Sequence, residues 1–458
     1  MFSSIFEQFA QASPITVMLR ATMERVFSAE NLDTLFDQTA QRQYTRELLF
    51  STVVGILSLV VCQIRPSVSA AYKAFEQQIG VSRVAFYSKL NGIEPQVSQA
   101  LVRYSASELT PIIEQFGAAL PPLLPGYRVR IIDGNCIAAS EHRLGVLRSI
   151  KAGALPGKSL VVLDPDLMLA LDQFPCEDAY TQERALLGNV VATVQPQELW
   201  IADRNFCTCY FLSSVAQAQA YFVIRQHQST PLDALEPLRR VATTEGQPVF
   251  EQPVQLEWQG QLLRLRRIVV QLDTPTRQGD LEVCVLTNLA ATVADAIKVS
   301  KLYLKRWTVE GLFQMITQSL SCEINSLGYP KAALFSFAVA LVAYNLLAVV
   351  KAALSHVHGA GKIEAGISDY YLVEEVQATY HGMMIALPVP VWEPLQHLDA
   401  VDFAQLLARW AAQVDLKRFA SSPRGKKKPP PQAKAQVHRP HVSTARLLDQ
   451  KRQKFQPP

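Results

Sequence analysis

Three acidic residues stand where they could do chemistry together. Asp133 closes the apolar run RVRIID (128–133), Asp203 closes ELWIAD (198–203), and Glu310 lies within LYLKRWTVEGLF (302–313). Carboxylates gathered in space supply the hard oxygen ligands that magnesium or manganese prefers. Two such ions about 4 Å apart can activate a water and stabilise the leaving oxygen when a phosphodiester is cut. Bound metal also offsets the repulsion between carboxylates and a phosphate backbone. Each residue has a plainer reading by itself. An aspartate at a strand end often caps a turn, and Glu310 can pair with Arg306 four residues before it on a helix surface. Three such acids in this order around an α/β sheet favour a shared site.

The surrounding elements must position them. RVRIID alternates as a strand, and SLVVLD (159–164) with LMLALD (167–172) flanks Pro165-Asp166 as a hairpin. A helix is expected over Asp178–Leu187, a short buried strand over 198–203, a helix over Phe206–Gln217 and a strand over AYFVIR (220–225). This order implies an α/β domain with a mixed sheet, and sites in open α/β sheets collect at strand ends. Residues 230–290 then become strand-rich (VFEQPVQLEWQ, LLRLRRIVVQL, LEVCVLTNL) and read as an inserted β-subdomain. A long helix is expected from about Val293 to Leu320. Leu302, Val309, Phe313, Ile316 and Leu320 share one face of it, and Tyr303, Arg306, Glu310, Gln314 and Thr317 form a second stripe beside that face.

Three segments, IIDGN (131–135), WIADRNF (200–206) and LYLKRWTVEGLF, together resemble bacterial insertion-sequence transposases of the DDE type, in the insertion-sequence 4 family. The last segment fits that family's signature of Tyr, two residues, Arg, three residues, Glu through Tyr303, Arg306 and Glu310. The resemblance covers roughly residues 127–350. It implies a ribonuclease-H-like core in which Asp133, Asp203 and Glu310 bind two magnesium ions, with manganese able to substitute. It also implies that Tyr303 and Arg306 contact DNA near the cleaved end, and that the protein acts as a homodimer on double-stranded DNA, both element ends and target, in a bacterial cytoplasm at the nucleoid. The signature continues with a lysine seven positions after the glutamate, where this sequence has Thr317. A phosphate contact is therefore absent or comes from elsewhere, such as Lys305 or the basic tail. Two other readings remain: a ribonuclease-H-fold nuclease without strand transfer, and a transposase-derived DNA-binding protein that no longer catalyses. Trp258, within the insertion, either packs the subdomain core or stacks on an unpaired base.

Residues 1–120 read as helical. Within them SVSAAYKAFEQQIGVSRVAFYSKLNGI (67–93) reads as helix, turn, helix, with Gly80 in the turn and Ser82 capping the second helix. Such a pair either packs as ordinary helices or presents Arg83, Tyr87 and Lys89 to DNA. The chain thus divides into a helical, possibly DNA-binding region (1–120), a catalytic core in two parts (127–229 and 291–415) around the insertion (230–290), and a basic, disordered tail (416–458). Residues 417–458 hold twelve Lys or Arg, among them Lys426, Lys427 and Lys428, against one acid, Asp449. Such a segment attracts phosphate backbones by counterion release. The 49% hydrophobic and 18% charged content describes a globular protein. Seven scattered cysteines fit a reducing cytoplasm, and Cys207 with Cys209 lacks zinc-site spacing. The uncharged stretches Ala332–Val350 and Leu48–Cys62 read as buried core helices rather than membrane spans.

Overall fold

The structure, a computed structural model, describes residues 3–45, 47–117, 121–276, 279–422 and 440–454. The chain opens with seven helices: α1 (Ser4–Ala12), α2 (Pro14–Val26), α3 (Ala29–Thr39), α4 (Phe50–Val61), α5 (Val68–Ile79), α6 (Arg83–Gly92) and α7 (Pro95–Gln115). The expected helix, turn, helix is α5 and α6. Gly80 adopts φ 72°, a left-handed value open to glycine at no steric cost, and the Ser82 side chain accepts from Ala85 N to cap α6.

The strands follow: β1 (Arg128–Cys136), β2 (Gly153–Leu155), β3 (Lys158–Asp164), β4 (Leu169–Cys176), β5 (Glu198–Ala202), β6 (Tyr221–Arg225), β7 (Asp233–Ala234), β8 (Arg239–Thr244), β9 (Gln247–Trp258), β10 (Gln261–Gln271) and β11 (Glu282–Thr287). One mixed sheet runs β4-β3-β1-β5-β6-β11-β10-β9-β7, with β8 also on β9. β1, β5 and β6 are parallel neighbours, and the other pairs are antiparallel. The strand-rich segment therefore does not close on itself as a separate unit. Thr287 on β11 pairs with Val223 on β6, so the insertion extends the central sheet. Backbone groups along the edge of β6 find partners that way, which a detached subdomain would leave exposed.

Two helix expectations need correction. The segment 178–187 is not one helix: a 3-10 turn spans Glu183–Leu186 before the short α8 (Leu187–Val191). The Asp178 carboxylate accepts from Tyr180 N, Ser443 Oγ and Arg446 Nε, and this local bonding competes with a helical start. After α9 (Cys209–Gln217), the helix expected over 293–320 is two segments, α10 (Ala296–Leu304) and α11 (Trp307–Gln318). Between them Lys305, Arg306, Thr308 and Val309 donate to carbonyls three residues back, a tightened turn in mid-helix.

α12 (Pro330–His358) passes through the centre of the molecule. It is long and apolar enough to cross a membrane, but its most apolar stretch is wholly buried inside the protein. It packs against α7, α4 and β4. Its buried Asn345 holds the edge strand β4: Oδ1 accepts from Ala170 N at 2.8 Å, and Nδ2 donates to Ala170 O at 2.9 Å. α13 (Ala360–Gly366), α14 (Asp369–Ala386) and α15 (Ala400–Ala411) complete the helical layer.

Part of the C-terminal segment is ordered. β12 (His441–Ser443) pairs in parallel with β2, and α16 (Thr444–Lys454) follows, anchored by the Arg446–Asp178 ion pair at 2.8 Å. The ladder and that ion pair anchor it despite its charge. Lys426, Lys427 and Lys428 lie outside the described residues.

Candidate active site

The two aspartates stand side by side, Asp133 within β1 and Asp203 just past the end of β5. β1 and β5 are parallel with Ile131 opposite Ile201, so Asp133 and Asp203 each stand two residues beyond the same rung. Both carboxylates are fixed in the same way. Asp133 Oδ1 accepts from Gly134 N at 2.9 Å, and Asp203 Oδ1 accepts from Asn205 N at 2.8 Å. Asp203 thereby caps the 3-10 turn Arg204–Phe206. One oxygen of each residue is held by its own backbone, and the other is left to serve the site.

Glu310 reaches the same place from α11 through Arg306. One Arg306 terminal nitrogen donates to Asp133 Oδ2 at 2.8 Å, and the other donates to Glu310 Oε1 at 3.1 Å. Arg306 is only 8% exposed, its guanidinium lies 4.4 Å from the Trp307 ring centroid, and its Nε has no hydrogen-bond partner. Burial opposes its charge. Asp133, Tyr303, Glu310 and Asp203 outweigh that and hold the guanidinium above its ordinary range. Burial pushes the Asp133 carboxyl up to about 6; Arg306 and Gly134 N pull it back, while Asp203 and Glu183 raise it further. Burial likewise raises the Tyr303 phenol, against the pull of the Arg306 and Arg225 charges.

In front of these groups opens a cavity of about 870 Å³, bounded by Asp203, Arg225, Thr244, Glu245, Lys301, Tyr303, Arg306, Trp307 and Glu310 among others. One wall comes from the strand-rich segment and the other from α10 and α11. Its rim is tied down by Asp280, whose Oδ2 accepts from Arg204 at 3.0 Å, Arg225 at 2.7 Å and Thr276 at 3.2 Å. The loop after β10 is thus joined to the residue that follows Asp203.

Residues 124–346 match the family model of the transposase DDE domain, a span that includes all three acids. Over those residues the chain is similar to the DDE domain of transposases. A curated relative, "Putative transposase y4zB" of Sinorhizobium fredii (strain NBRC 101917 / NGR234), is 27% identical over 201 residues, which is 42% of this chain and 52% of the relative. The chain thus matches about half the length of that relative. The cryo-EM structure of the piggyBac transposase synaptic complex with hairpin DNA aligns with 88% of this chain and 86% of its own, at 12% identity and a TM-score of 0.39.

The donor set of Asp133, Asp203 and Glu310 is oxygen-only and suits a magnesium-like cation. Among the described residues no three acids stand close enough to hold a metal as they are, and the Arg306 guanidinium bridges Asp133 and Glu310. That guanidinium is a cation seated among carboxylates. It shows that the pocket accepts positive charge, and its withdrawal would free Asp133 Oδ2 and Glu310 Oε1. The residues therefore fit divalent ions with Arg306 displaced.

Tyr303 and Arg306 line the cavity as buried groups rather than as an open contact surface. Thr317, exposed, faces Cys322 Sγ at 3.7 Å. Lys305 lines a different cavity, of about 410 Å³, with Asp166 and Lys351. Besides Arg204 and Arg306, the Glu310 cavity is lined by two cations that no sequence motif marks, Arg225 and Lys301, which the strand pairing and the α10 face bring there. Trp258 is half-buried beside the Gln259-Gly260 turn, and the tryptophan at the cavity is Trp307. On α6, Arg83 is exposed, whereas Lys89 donates to Tyr44 O at 3.2 Å and covers the Phe36 ring, so its charge faces the protein.

Proposed function

We propose that this chain is a DDE transposase of the insertion-sequence 4 type, which cuts double-stranded DNA at the ends of its element and joins the freed 3′-hydroxyls to target DNA. The observation that carries the reading is the in-register pair Asp133 and Asp203 on neighbouring parallel strands, linked to Glu310 through one buried arginine. A ribonuclease-H-like arrangement is the fold on which such a pair and a helical glutamate would converge. Two divalent ions, when bound, would supply water activation and charge stabilisation at the leaving oxygen.

The chain's own groups would do the rest. Asp133 Oδ2, Asp203 and Glu310 would hold the ions, with each aspartate's Oδ1 fixed by a backbone N–H so that its free oxygen cannot swing away. Arg306, displaced from Asp133 and Glu310, would turn to a phosphate, for which a guanidinium is an equally good partner. Arg225 and Lys301 would face the backbone across the cavity, and the basic residues of the C-terminal segment would add salt-dependent affinity. Action as a homodimer in the bacterial cytoplasm, at the nucleoid, belongs to the same proposal.

The test is incubation of linear DNA carrying the element's ends with magnesium or manganese, comparing the wild type with Asp203→Ala. Metal-dependent cutting at the ends, with joined products, should be lost by at least ~1,000-fold in the variant, the scale of removing a central electrostatic group. Cutting without joined product would instead mark a nuclease. Binding without cutting in either metal would overturn the catalytic reading in favour of a DNA-binding protein.

A further inference from the structure

A fourth carboxylate belongs to the site although no pattern in the sequence points to it. Glu183, on the 3-10 turn Glu183–Leu186, is half-buried between the segments that follow Asp133 and Asp203. On one side it lies against the backbone of Gly134. A Cβ built at Gly134 would fall 2.2 Å from Glu183 Oε1 and 2.7 Å from its Cδ, so glycine alone admits the carboxylate at its present depth. On the other side Glu183 Oε2 accepts from Asn205 Nδ2 at 3.2 Å. Gly134 and Asn205 are the two residues whose backbone N–H groups fix Asp133 Oδ1 and Asp203 Oδ1.

We infer that Glu183 is a positioning residue of the DDE site, a wedge that holds the Gly134 and Asn205 amides, and through them sets the spacing of Asp133 and Asp203. It acts by packing and by accepting a hydrogen bond, and it does not ligate metal. This rests on the proposed metal-binding role of the triad. The physical reason is that an ion is held well only when its ligands are already oriented; partners beyond the ligands themselves commonly change affinity 10–100-fold. Without Glu183, the Asn205 side chain loses its anchor and the Gly134 segment of β1, which β3 holds on its other side, loses its support next to the segment after β5.

The variants separate this from a general structural role. Glu183→Gln keeps the acceptor oxygen and the shape but removes the charge. Glu183→Ala removes the wedge. Gly134→Ala leaves Glu183 in the chain but drives its carboxylate out of the cleft, at modest cost because the clashing atoms end a flexible side chain. Asn205→Ala removes the bridge. Binding of Mn2+ to the purified full chain without DNA would be followed by the electron paramagnetic resonance signal of free ion, with thermal unfolding run on the same samples.

Wild type and Glu183→Gln should bind within about threefold of each other. Glu183→Ala, Gly134→Ala and Asn205→Ala should each bind at least about tenfold more weakly. The Glu183→Ala, Asn205→Ala double variant should be no worse than the weaker single, as expected of residues acting as one unit. Unchanged Mn2+ affinity in Glu183→Ala would overturn the inference while leaving the proposed function intact. Equal loss in Glu183→Gln and Glu183→Ala would overturn it too, by showing that the charge acts directly. If the wild type bound no Mn2+ that Asp203→Ala abolishes, the metal reading itself would fail, and this inference with it.

Discussion

Two buried polar side chains, Asn345 in the core and Arg306 at the acidic site, are both almost closed to solvent but differ in how completely they are satisfied. Asn345 uses Oδ1 for Ala170 N, and Nδ2 for Ala170 O and for Ser105 Oγ at 3.0 Å. Its hydrogen-bonding capacity is nearly filled, and its partners are neutral. Arg306 meets Asp133 and Glu310 but leaves Nε without a partner, and it stabilises a carboxyl that burial disfavours. Filled neutral networks fix a core, whereas a half-satisfied charged one costs stability that a functional site can recover when it binds something. The first region is built to stay as it is. The second is arranged to change partners.

The strongest way to break this contrast is to exchange each group for an apolar one. Asn345→Leu strips the partner from Ala170 N–H and C=O together, at a buried edge strand. An unsatisfied buried group costs about 1–3 kcal/mol, so a loss of about 3 kcal/mol or more is expected in urea denaturation. Arg306→Met at pH 6 should cost less than half of that, because Asp133 can take up a proton in place of its cation. Equal losses at the two positions would show that the acidic site is as fixed as the core.

A second, smaller effect follows from pH. The folded Asp133 carboxyl titrates near 6, while an unfolded aspartate titrates near 3.9. The folded state therefore holds this proton more tightly, and the contribution to stability is full below about pH 4 and is lost as pH rises through 6. Asp133→Asn does not titrate, so the difference between wild type and variant isolates the group. With chelator present, that difference should move by about 2 kcal/mol in favour of the variant between pH 4.5 and 7.5. Mn2+ should stabilise the wild type at pH 7.5 and barely at pH 5, since the ion and the proton compete for one carboxylate. A pH-independent difference would mean that Asp133 is not buried as charge. The Asn345 network holds no titrating group and should show no such slope.

The elements that were legible are those whose local pattern agrees with their surroundings. The runs ending in Asp133 and Asp203 are apolar because β1 and β5 lie inside the sheet, and that burial is what carries both acids to one edge. Glu310 could be placed on a helix from its apolar stripe, of which Leu302, Val309, Ile316 and Leu320 are buried. The tightened turn at Lys305 and Arg306 carries no glycine or proline; it follows the pairing of Arg306 with Asp133, a residue 173 positions away. Glu183 sits in a 3-10 turn too short for any periodicity, and its neighbours come from β1 and from the 3-10 turn after β5. The joining of the strand-rich segment to β6 depends on Val223, Ile224 and Arg225 meeting β11, which spacing cannot encode. The docked β12 was hidden because its composition is basic, and only the β2 edge and Asp178 reveal what anchors it.

The smallest expected effect tests whether the same division between settled and available charge holds on α6. Lys89 is settled: its ammonium donates to Tyr44 O and lies 3.9 Å from the Phe36 ring centroid, and burial lowers its pKa while Asp37 and Asp33 pull it back. Arg83, at the exposed start of the helix, is beside Val84, which is 79% exposed. If α6 meets DNA, the available cation should carry the contact. Arg83→Ala should then weaken binding to duplex DNA and lower the salt-dependence slope by about one, the signature of one lost phosphate contact. Lys89→Ala should leave that slope unchanged and instead cost about 1 kcal/mol of stability, the worth of a partly desolvated cation over a ring. The reverse pattern, with Lys89 setting the slope and Arg83 silent, would mean that α6 must turn away from Phe36 to bind, and that its present contacts are a resting state. Silence at both would remove α6 from the DNA interface and leave the basic C-terminal segment and the cavity cations to supply it.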